Sequence, residues 1–149
     1  MQVQPREAVD LNGEFHFKVD AKGRVALPAK FRKVLSKDLV VTLELSDECI
    51  YVFETPDFNN WVNKLFVDNF GEFKESDRSH VNLRRKLKAR ANDVEVDASG
   101  RIMLSADVRN AAGIDKEVVI VGNTGRFEIW DAKRYEQVDE GVDLGLLCS

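Results

Sequence analysis

An acidic–glycine–arginine pattern occurs twice in the sequence, as VDAKGR at residues 19–24 and as VDASGR at residues 96–101. An aspartate at the start of a tight turn can accept backbone N–H groups, and a glycine can adopt the positive φ that such turns require. The arginine that follows carries a long cation, which can tie the turn to the aspartate or bind phosphates and base edges. The residues expected to build the two turns are Asp20, Gly23, Asp97 and Gly100.

Basic residues surround the first of these turns but not the second. The first copy has His16, Lys18, Lys22, Lys30 and Lys33 where the second has Asp93, Glu95, Ser99, Asp107 and Asn110. A cationic surface on one copy only favours contact with a polyanion, because lysines neutralise phosphate charge. We therefore predict an interface with double-stranded DNA in which lysines meet phosphates and the arginine meets base edges. Its expected residues are Arg24, Lys22, Lys18, His16, Lys30 and, with a weaker role, Arg101.

Other basic residues do not follow this difference between the copies. Arg32 and Arg109 match each other at an offset of 77 residues, and we expect each to form a structural salt bridge. The basic run at residues 84–90 is a second candidate for DNA contact. The alternative for that run is a helix face that only contacts solvent.

The composition limits the classes of protein to which the chain can belong. Its 149 residues, net charge of −4 and 44% hydrophobic residues suit one globular unit. No apolar run approaches the roughly 20 residues that a membrane span needs, and the N-terminus lacks the basic and apolar parts of a signal peptide. We expect a cytoplasmic protein that contacts no membrane.

No pattern in the sequence indicates an enzyme, a metal site or a cofactor. Cys49 and Cys148 are too few for a disulfide framework or a zinc site. His16 and His80 are isolated in sequence and lack the spacing of a catalytic or metal-binding pair. A glycine-rich phosphate loop is also missing, so we expect neither catalysis nor a small-molecule substrate.

The two hexapeptides belong to a longer repeat. At the offset of 77, residues 19–32 and 96–109 share eight identities in fourteen positions, and the alignment continues without gaps. Each copy reads as a strand, the turn, a short strand that closes a hairpin, a short helix and a second hairpin. Pro28 suits the first turn of one short helix, and Ser105 caps the other.

Two helices are predicted between the copies. The helix that starts after Pro56 carries an apolar stripe at helical spacing. Its members are Phe58, Trp61, Val62, Leu65, Phe66 and Phe70. The next helix joins the halves, and we expect Leu83, Leu87 and Ala91 to face inward while its basic residues face solvent.

Neither copy has enough strands to close a core alone, because a single hairpin is marginally stable in water. We expect the two halves to interdigitate around a pseudo-twofold axis into one compact β-rich α+β unit with peripheral helices. The expected boundaries are residues 12–58 for the first repeat, 59–91 for the helical connector, 92–136 for the second repeat and 137–149 for the C-terminal tail.

The segments DAKGRVALPAKFR, DASGRIMLSADVR and KEVVIVGNTGRFEIWD resemble the MraZ family of bacterial transcriptional regulators, over approximately residues 12–140. The resemblance implies two AbrB-like swapped-hairpin units that form one β-barrel-like core, and a homo-oligomer that closes into a ring. It also implies a nucleoid-associated protein that binds short direct repeats in the promoter of its own division and cell-wall operon, usually as a repressor. The family's motifs fall on Asp20, Lys22, Gly23 and Arg24, and on Asp97, Gly100 and Arg101.

The chain departs from the family pattern in three places. Ser99 stands where the first motif has a lysine, the N-terminus extends beyond the usual start, and the tail after residue 140 is short. Two other functions fit part of the sequence. An antitoxin-like module uses the same type of hairpin, although usually in one copy with a disordered tail. A structural ring-forming protein would keep the repeat without binding DNA.

Overall fold

The computed structural model describes residues 7–148, which form a strand-rich, mixed α+β fold. The first copy contains β1 (Glu14–Lys18), β2 (Arg24–Ala26), α1 (Ala29–Arg32), β3 (Asp38–Leu43) and β4 (Ile50–Glu54). The connecting helices are α2 (Thr55–Phe70) and α3 (Arg78–Ala89). The second copy contains β5 (Asn92–Glu95), β6 (Arg101–Met103), α4 (Ala106–Ala111), β7 (Glu117–Gly122) and β8 (Phe127–Asp131), and α5 (Ala132–Glu140) and a 3-10 helix (Leu144–Leu147) follow. No helix among the described residues is long and apolar enough to cross a membrane.

Strands from both copies share one antiparallel sheet, in the order β1-β7-β8-β4-β3-β5. β1 of the first copy pairs with β7 of the second, and β5 of the second pairs with β3 of the first. From the opposite edge the order is the same once each strand is replaced by its counterpart in the other copy. The β4–β8 pair lies at the centre. Each copy therefore supplies the edge strand that extends the other copy's hairpin, and neither copy could form this sheet alone.

β2 and β6 form a separate two-stranded ribbon, in which Val25 lies opposite Ile102. The prediction that β2 closes a hairpin on β1 is therefore wrong, because β2 finds its hydrogen-bonding partner in the other copy. The expected barrel-like core is also not found. Among the described strands β1 and β5 are open edges of the sheet. β2 and β6, which follow them in the sequence, pair with each other and not with the sheet.

The two copies do not keep one offset along their whole length. β2 and β6 lie 77 residues apart, as do β4 and β8. In contrast, Leu39 of β3 faces Val94, and Val118 of β7 faces Phe17, so β3 and β7 correspond at an offset of 79. α4 is two residues longer than α1, and the β7–β8 turn is two residues shorter than the β3–β4 turn. The alignment without gaps is therefore wrong at β3 and β7.

The main core lies between the inner face of the sheet and the β2–β6 ribbon. Val25, Phe31 and Ile102 are at most 1% exposed there. The Phe31 ring of α1 contacts the ring of Phe15 on β1, with centroids 5.3 Å apart, and that of Phe127 on β8 at 5.5 Å. Because these contacts join elements of both copies, the core forms only when the two copies fold together.

The outer face of β3 and β4 is covered by α2. Three side chains of the predicted stripe are buried there, namely Phe58, Val62 and Phe66. Trp61 and Leu65 are half-buried. Phe70, the last residue of the helix, is 50% exposed, so the stripe is not buried along its whole length.

α3 packs against α2 through one side only. Its first turn is capped by Asp77, whose side chain accepts two backbone N–H groups. His80 is buried against Phe70, with ring centroids 4.4 Å apart. Leu87 is half-buried and packs on the α2 cluster, as predicted, whereas Leu83 is 46% exposed. The prediction that Leu83 faces the core is therefore wrong.

The residues before β1 lie across the turn between β7 and β8. Val9 and Leu11 are buried in the main core, and the Leu11 N–H donates to the carbonyl of Asn123. A Cβ atom on Gly122 would lie 2.7 Å from the backbone nitrogen of Asn12 and closer still to the Leu11 carbonyl. Only a glycine lets this segment approach β7 so closely.

We predict that Gly122→Ala lowers the free energy of unfolding by about 1–3 kcal/mol, the usual cost of an extra methyl group in a packed site. The clash is with backbone atoms, so no side-chain rotation can relieve it. Urea denaturation measures the change. Gly141→Ala is the matched control, because its Cβ would lie 3.5 Å from its nearest neighbour at a φ of −84°. Equal effects of the two substitutions would contradict the packing of the N-terminal segment on Gly122.

Candidate nucleic-acid interface

The first turn is a closed set of hydrogen bonds around Asp20. Its Oδ1 atom accepts from the N–H groups of Lys22 at 2.9 Å and Arg24 at 2.8 Å. The Asp20 carbonyl accepts from the Gly23 N–H at 3.0 Å. Gly23 has a φ of +84°, in the left-handed region that side chains with a Cβ disfavour. Asp20 and Gly23 together fix the point from which the Arg24 side chain leaves the backbone.

The second turn repeats this geometry. Asp97 Oδ1 accepts from the N–H groups of Ser99 and Arg101, both at 2.9 Å, and Gly100 has a φ of +78°. In each turn the N–H of the following arginine is the largest cause that lowers the pKa of the aspartate below its ordinary value. Both carboxylates are therefore ionised at neutral pH.

The two turns are joined through the ribbon, although they are distant in sequence. The Leu104 N–H donates to the Gly23 carbonyl, and the Leu27 N–H donates to the Gly100 carbonyl, both at 2.9 Å. Each turn thus accepts a backbone hydrogen bond from the other copy of the repeat. The sequence contains both turns but does not indicate that they meet.

Four charged side chains of the two turns form one alternating network. Arg24 Nε donates to Asp20 Oδ2 at 2.9 Å. Arg101 reaches the same Asp20 oxygen with its Nη1 atom at 3.6 Å, while its Nε lies 3.4 Å from Asp97 Oδ2. Asp20 therefore holds both arginines, whereas Asp97 holds only its own.

The two arginines differ in the donors that they leave for a ligand. Arg24 uses Nε for its ion pair, and no described residue accepts a hydrogen bond from its Nη1 or Nη2 atom. Arg101 directs both Nε and Nη1 towards carboxylates, and its Nε is buried without a hydrogen bond. Arg24 can therefore present two adjacent donors at the surface, while Arg101 connects the turns.

The remaining predicted residues lie at different distances from this network. Lys22 is exposed in the first turn. Lys18 and His16 lie on the exposed side of edge strand β1, and His16 Nε2 is 3.1 Å from Glu14 Oε2. Lys30 is exposed on α1, and no described hydrogen bond or ion pair joins it to the turns. The structure thus places Lys22 and Arg24 in one turn and joins Arg101 to it through Asp20, whereas no described side-chain contact links the other three to the turns.

Arg32 and Arg109 pack over the glycine of the opposite turn. A Cβ atom on Gly23 would lie 3.0 Å from Arg109 Nη2, and one on Gly100 would lie 2.7 Å from Arg32 Cδ. Arg109 Nε also donates to a backbone carbonyl at 3.0 Å. Neither arginine pairs with a carboxylate of a described residue, so the prediction of structural salt bridges is wrong. The sequence indicates this contact only through the conserved spacing within the repeat, since each copy has both the glycine of the turn and the arginine of the short helix.

The described residues contain no group of three or more His, Cys, Asp or Glu side chains that could hold a metal ion. Cys49 is buried, and the loss of hydration raises the pKa of its thiol, which therefore stays protonated. Cys148 is exposed.

Comparison with known proteins links the chain to one family. A family model described as "MraZ protein, putative antitoxin-like" matches residues 11–79 and 87–143. A Lachnoclostridium phytofermentans protein named "Transcriptional regulator MraZ" is 39% identical over 136 residues, which cover 88% of this chain and 92% of that protein. Proteins of the same name from Saccharopolyspora erythraea and Nitrosomonas eutropha are 40% and 38% identical, over 83% and 91% of this chain and 82% and 88% of their own lengths.

We predict that Asp20→Asn lowers thermal stability at neutral pH but has little effect in strong acid. The folded-state pKa of Asp20 lies below its ordinary value of 3.8, so its stabilising contribution is complete above that pH and is lost as the pH falls through the folded-state pKa. Asparagine can still accept the turn N–H groups but cannot pair with the two arginines. Melting temperatures at about pH 7 and about pH 2 measure the difference.

Glu72→Gln is the control for this experiment, because Glu72 is exposed and makes no described hydrogen bond or ion pair. Its melting temperature is expected to follow that of the unmodified chain at both values of pH. A difference for Asp20→Asn that does not shrink in acid would contradict the role of the ionised carboxylate.

Proposed function

The chain belongs to the MraZ family, and on this premise we propose that it regulates transcription by binding double-stranded DNA through the first turn. One observation carries the proposal. The turn presents Arg24 with its two Nη atoms unbonded to any described residue, and the basic residues around it have no counterpart in the second copy. The names of the relatives, which are transcriptional regulators, support the same function.

The geometry of Arg24 suits recognition of a base edge. A guanidinium group can donate two parallel hydrogen bonds to O6 and N7 of guanine in the major groove. Its bond to Asp20 fixes the side chain through Nε, so that less conformational freedom is lost when the two Nη atoms bind. The major groove admits a two-stranded β-ribbon, which is the element that carries this arginine.

The lysines supply the phosphate contacts in this proposal. Lys22 lies in the same turn as Arg24, and Lys18 ends the strand that leads into it. At the position equivalent to Lys18 the second copy has Glu95, which pairs in register with Asp38 and would repel phosphate. DNA is therefore expected to approach from the side of the first copy, although the whole chain has a net charge of −4.

A single turn offers few contacts, so we propose that affinity comes from several copies acting together. In a homo-oligomeric ring, neighbouring turns would engage successive short direct repeats at a high effective concentration. The target proposed from the family resemblance is the promoter of the protein's own division and cell-wall operon, with repression as the outcome. Such a protein would work in the cytoplasm, on nucleoid DNA.

An antitoxin-like function is the second candidate, since the description of the family model contains this term. Deletion of the gene separates the two functions. Loss of a repressor raises transcription of its operon in living cells, whereas loss of an antitoxin is lethal until the toxin gene is also removed. A purely structural ring is excluded once DNase footprinting upstream of the coding sequence shows a protected region.

We predict that Arg24→Ala weakens binding to the operator by about 5- to 150-fold while the chain keeps its fold, because a bidentate base contact is worth about 1–3 kcal/mol. Arg101→Ala is expected to have a smaller effect, since Arg101 is directed towards Asp20 and Asp97. Gel-shift titration against operator and scrambled DNA measures both. Lys133→Ala, at an exposed position of α5, is the control and should bind as the unmodified chain does. An Arg101 effect as large as that of Arg24 would contradict the assignment.

We also predict that Lys22→Gln reduces the salt dependence of binding. A lysine that neutralises one phosphate contributes about one unit to the slope of log K against log salt concentration, because one counterion is released. The loss should be the same for operator and scrambled DNA. An unchanged slope for Lys22→Gln would remove Lys22 from the phosphate contacts.

A further inference from the structure

The two connecting helices leave an apolar groove open at the surface. This helical groove is lined by Leu65 and Phe70 of α2, by Leu83 and Leu87 of α3 and by Leu45 of the β3–β4 turn, and encloses about 290 Å³. Phe70, Leu83 and Leu45 are 50%, 46% and 51% exposed. Exposed apolar groups in one patch of this kind are typical of a site that binds another protein segment.

The C-terminal end of the same chain is a second exposed apolar element. We call residues 142–147 the leucine tail, which includes the 3-10 helix after α5. Leu144, Leu146 and Leu147 are 71%, 85% and 84% exposed, and Val142 is 58% exposed. These leucines are therefore not packed into the helical groove of their own chain.

The two surfaces carry opposite charge. Residues 78–90, which include α3, contain six lysines and arginines and no acidic residue. Residues 135–149, which include the leucine tail, contain four acidic residues and no lysine or arginine. Lys86 lines the groove and makes no ion pair with a described residue. A basic rim around apolar side chains fits an acidic segment that carries leucines.

We propose that the leucine tail of one copy docks into the helical groove of a neighbouring copy. The inference rests on the homo-oligomer of the proposed function and names the surfaces that join its subunits. Because the tail and the groove are different parts of the chain, the contact is head-to-tail, and repeated copies generate a ring if the rotation closes. This interaction also gives the basic run of α3 a role.

The observations favour a second copy over DNA as the partner of α3. A DNA contact would explain the lysines and arginines but not the apolar groove that lies beside them. Two of these basic residues are also already paired, Arg84 with Glu75 at 3.1 Å and Arg90 with Asp47 at 2.8 Å. The free charge of α3 is thereby reduced, while its leucine side remains open.

Light scattering after size-exclusion chromatography tests the proposal with two variants. Leu147→Asp disables the tail and Leu83→Asp disables the groove, and each should shift the oligomer towards the 16.9 kDa chain. Both positions are exposed, so the fold is expected to remain, and circular dichroism checks this. Val34→Asp, at a residue 57% exposed outside both surfaces, is the control and should assemble as the unmodified chain does.

Mixing the two variants is the decisive step. Leu83→Asp keeps a working tail and Leu147→Asp keeps a working groove, so together they should form a 1:1 complex of twice the chain mass, which neither forms alone. Failure of the mixture to form this complex, or unchanged assembly of both variants, overturns the proposal. Docking of the tail within its own chain would also prevent the mixture from forming the 1:1 complex.

The outcomes also separate this inference from the proposed function. If the unmodified chain is itself a monomer, the proposed oligomer and this interface both fail, while DNA binding by Arg24 can still be measured. If the variants assemble normally but Lys86→Gln weakens DNA binding, the groove proposal is wrong and α3 belongs to the DNA interface.

Discussion

The carboxylate of Asp20 is the contact on which the two halves of the molecule converge. It accepts two N–H groups of its own turn, pairs with Arg24 and receives Arg101 from the other copy. The β2–β6 pairing brings the two turns together, because each strand of the ribbon starts at one turn and bonds to the other copy. Asp20 and Asp97 balance the two arginines, so the turns can lie together without net repulsion.

Duplication of one unit allowed the two copies to diverge in charge without loss of the fold. The backbone bonds of the turns are the same in both, and these are the bonds that the ribbon requires. The side chains around the turns are not needed for closure. Lys18 and Glu95 can therefore occupy equivalent edge positions with opposite charge. The asymmetry of the Asp20 network points the same way, since Asp20 holds Arg24 by a 2.9 Å hydrogen bond through Nε alone, while the guanidinium group of Arg101 lies between Asp20 and Asp97.

The local features of the fold could be predicted from the sequence, and the long-range pairings could not. Turn chemistry and helix caps are set by neighbouring residues, so the turn at Asp20 and the cap at Ser105 were recognisable. The partner of β2 depends on the other copy, for which a three-residue strand carries no pattern. The packing of Arg109 over Gly23 is likewise a contact between the two copies, and Arg109 bonds there to the backbone carbonyl of Leu104 instead of forming the predicted salt bridge. Periodicity predicts which side of a helix is apolar but not which element packs on it, so it does not predict that Leu83 is exposed.

The sheet separates the two proposed activities onto opposite faces. The ribbon with Arg24 packs on the inner face, where Val25 and Ile102 belong to the main core. α2 and α3 lie on the outer face of β3 and β4, and Tyr135 of α5 contacts Trp130 on the outer face of β8. Subunits joined through the helical groove and the leucine tail would therefore meet along the outer layer. The ribbon of each copy would stay uncovered, so assembly would multiply the number of turns without hiding any of them, which is the condition that multivalent binding requires.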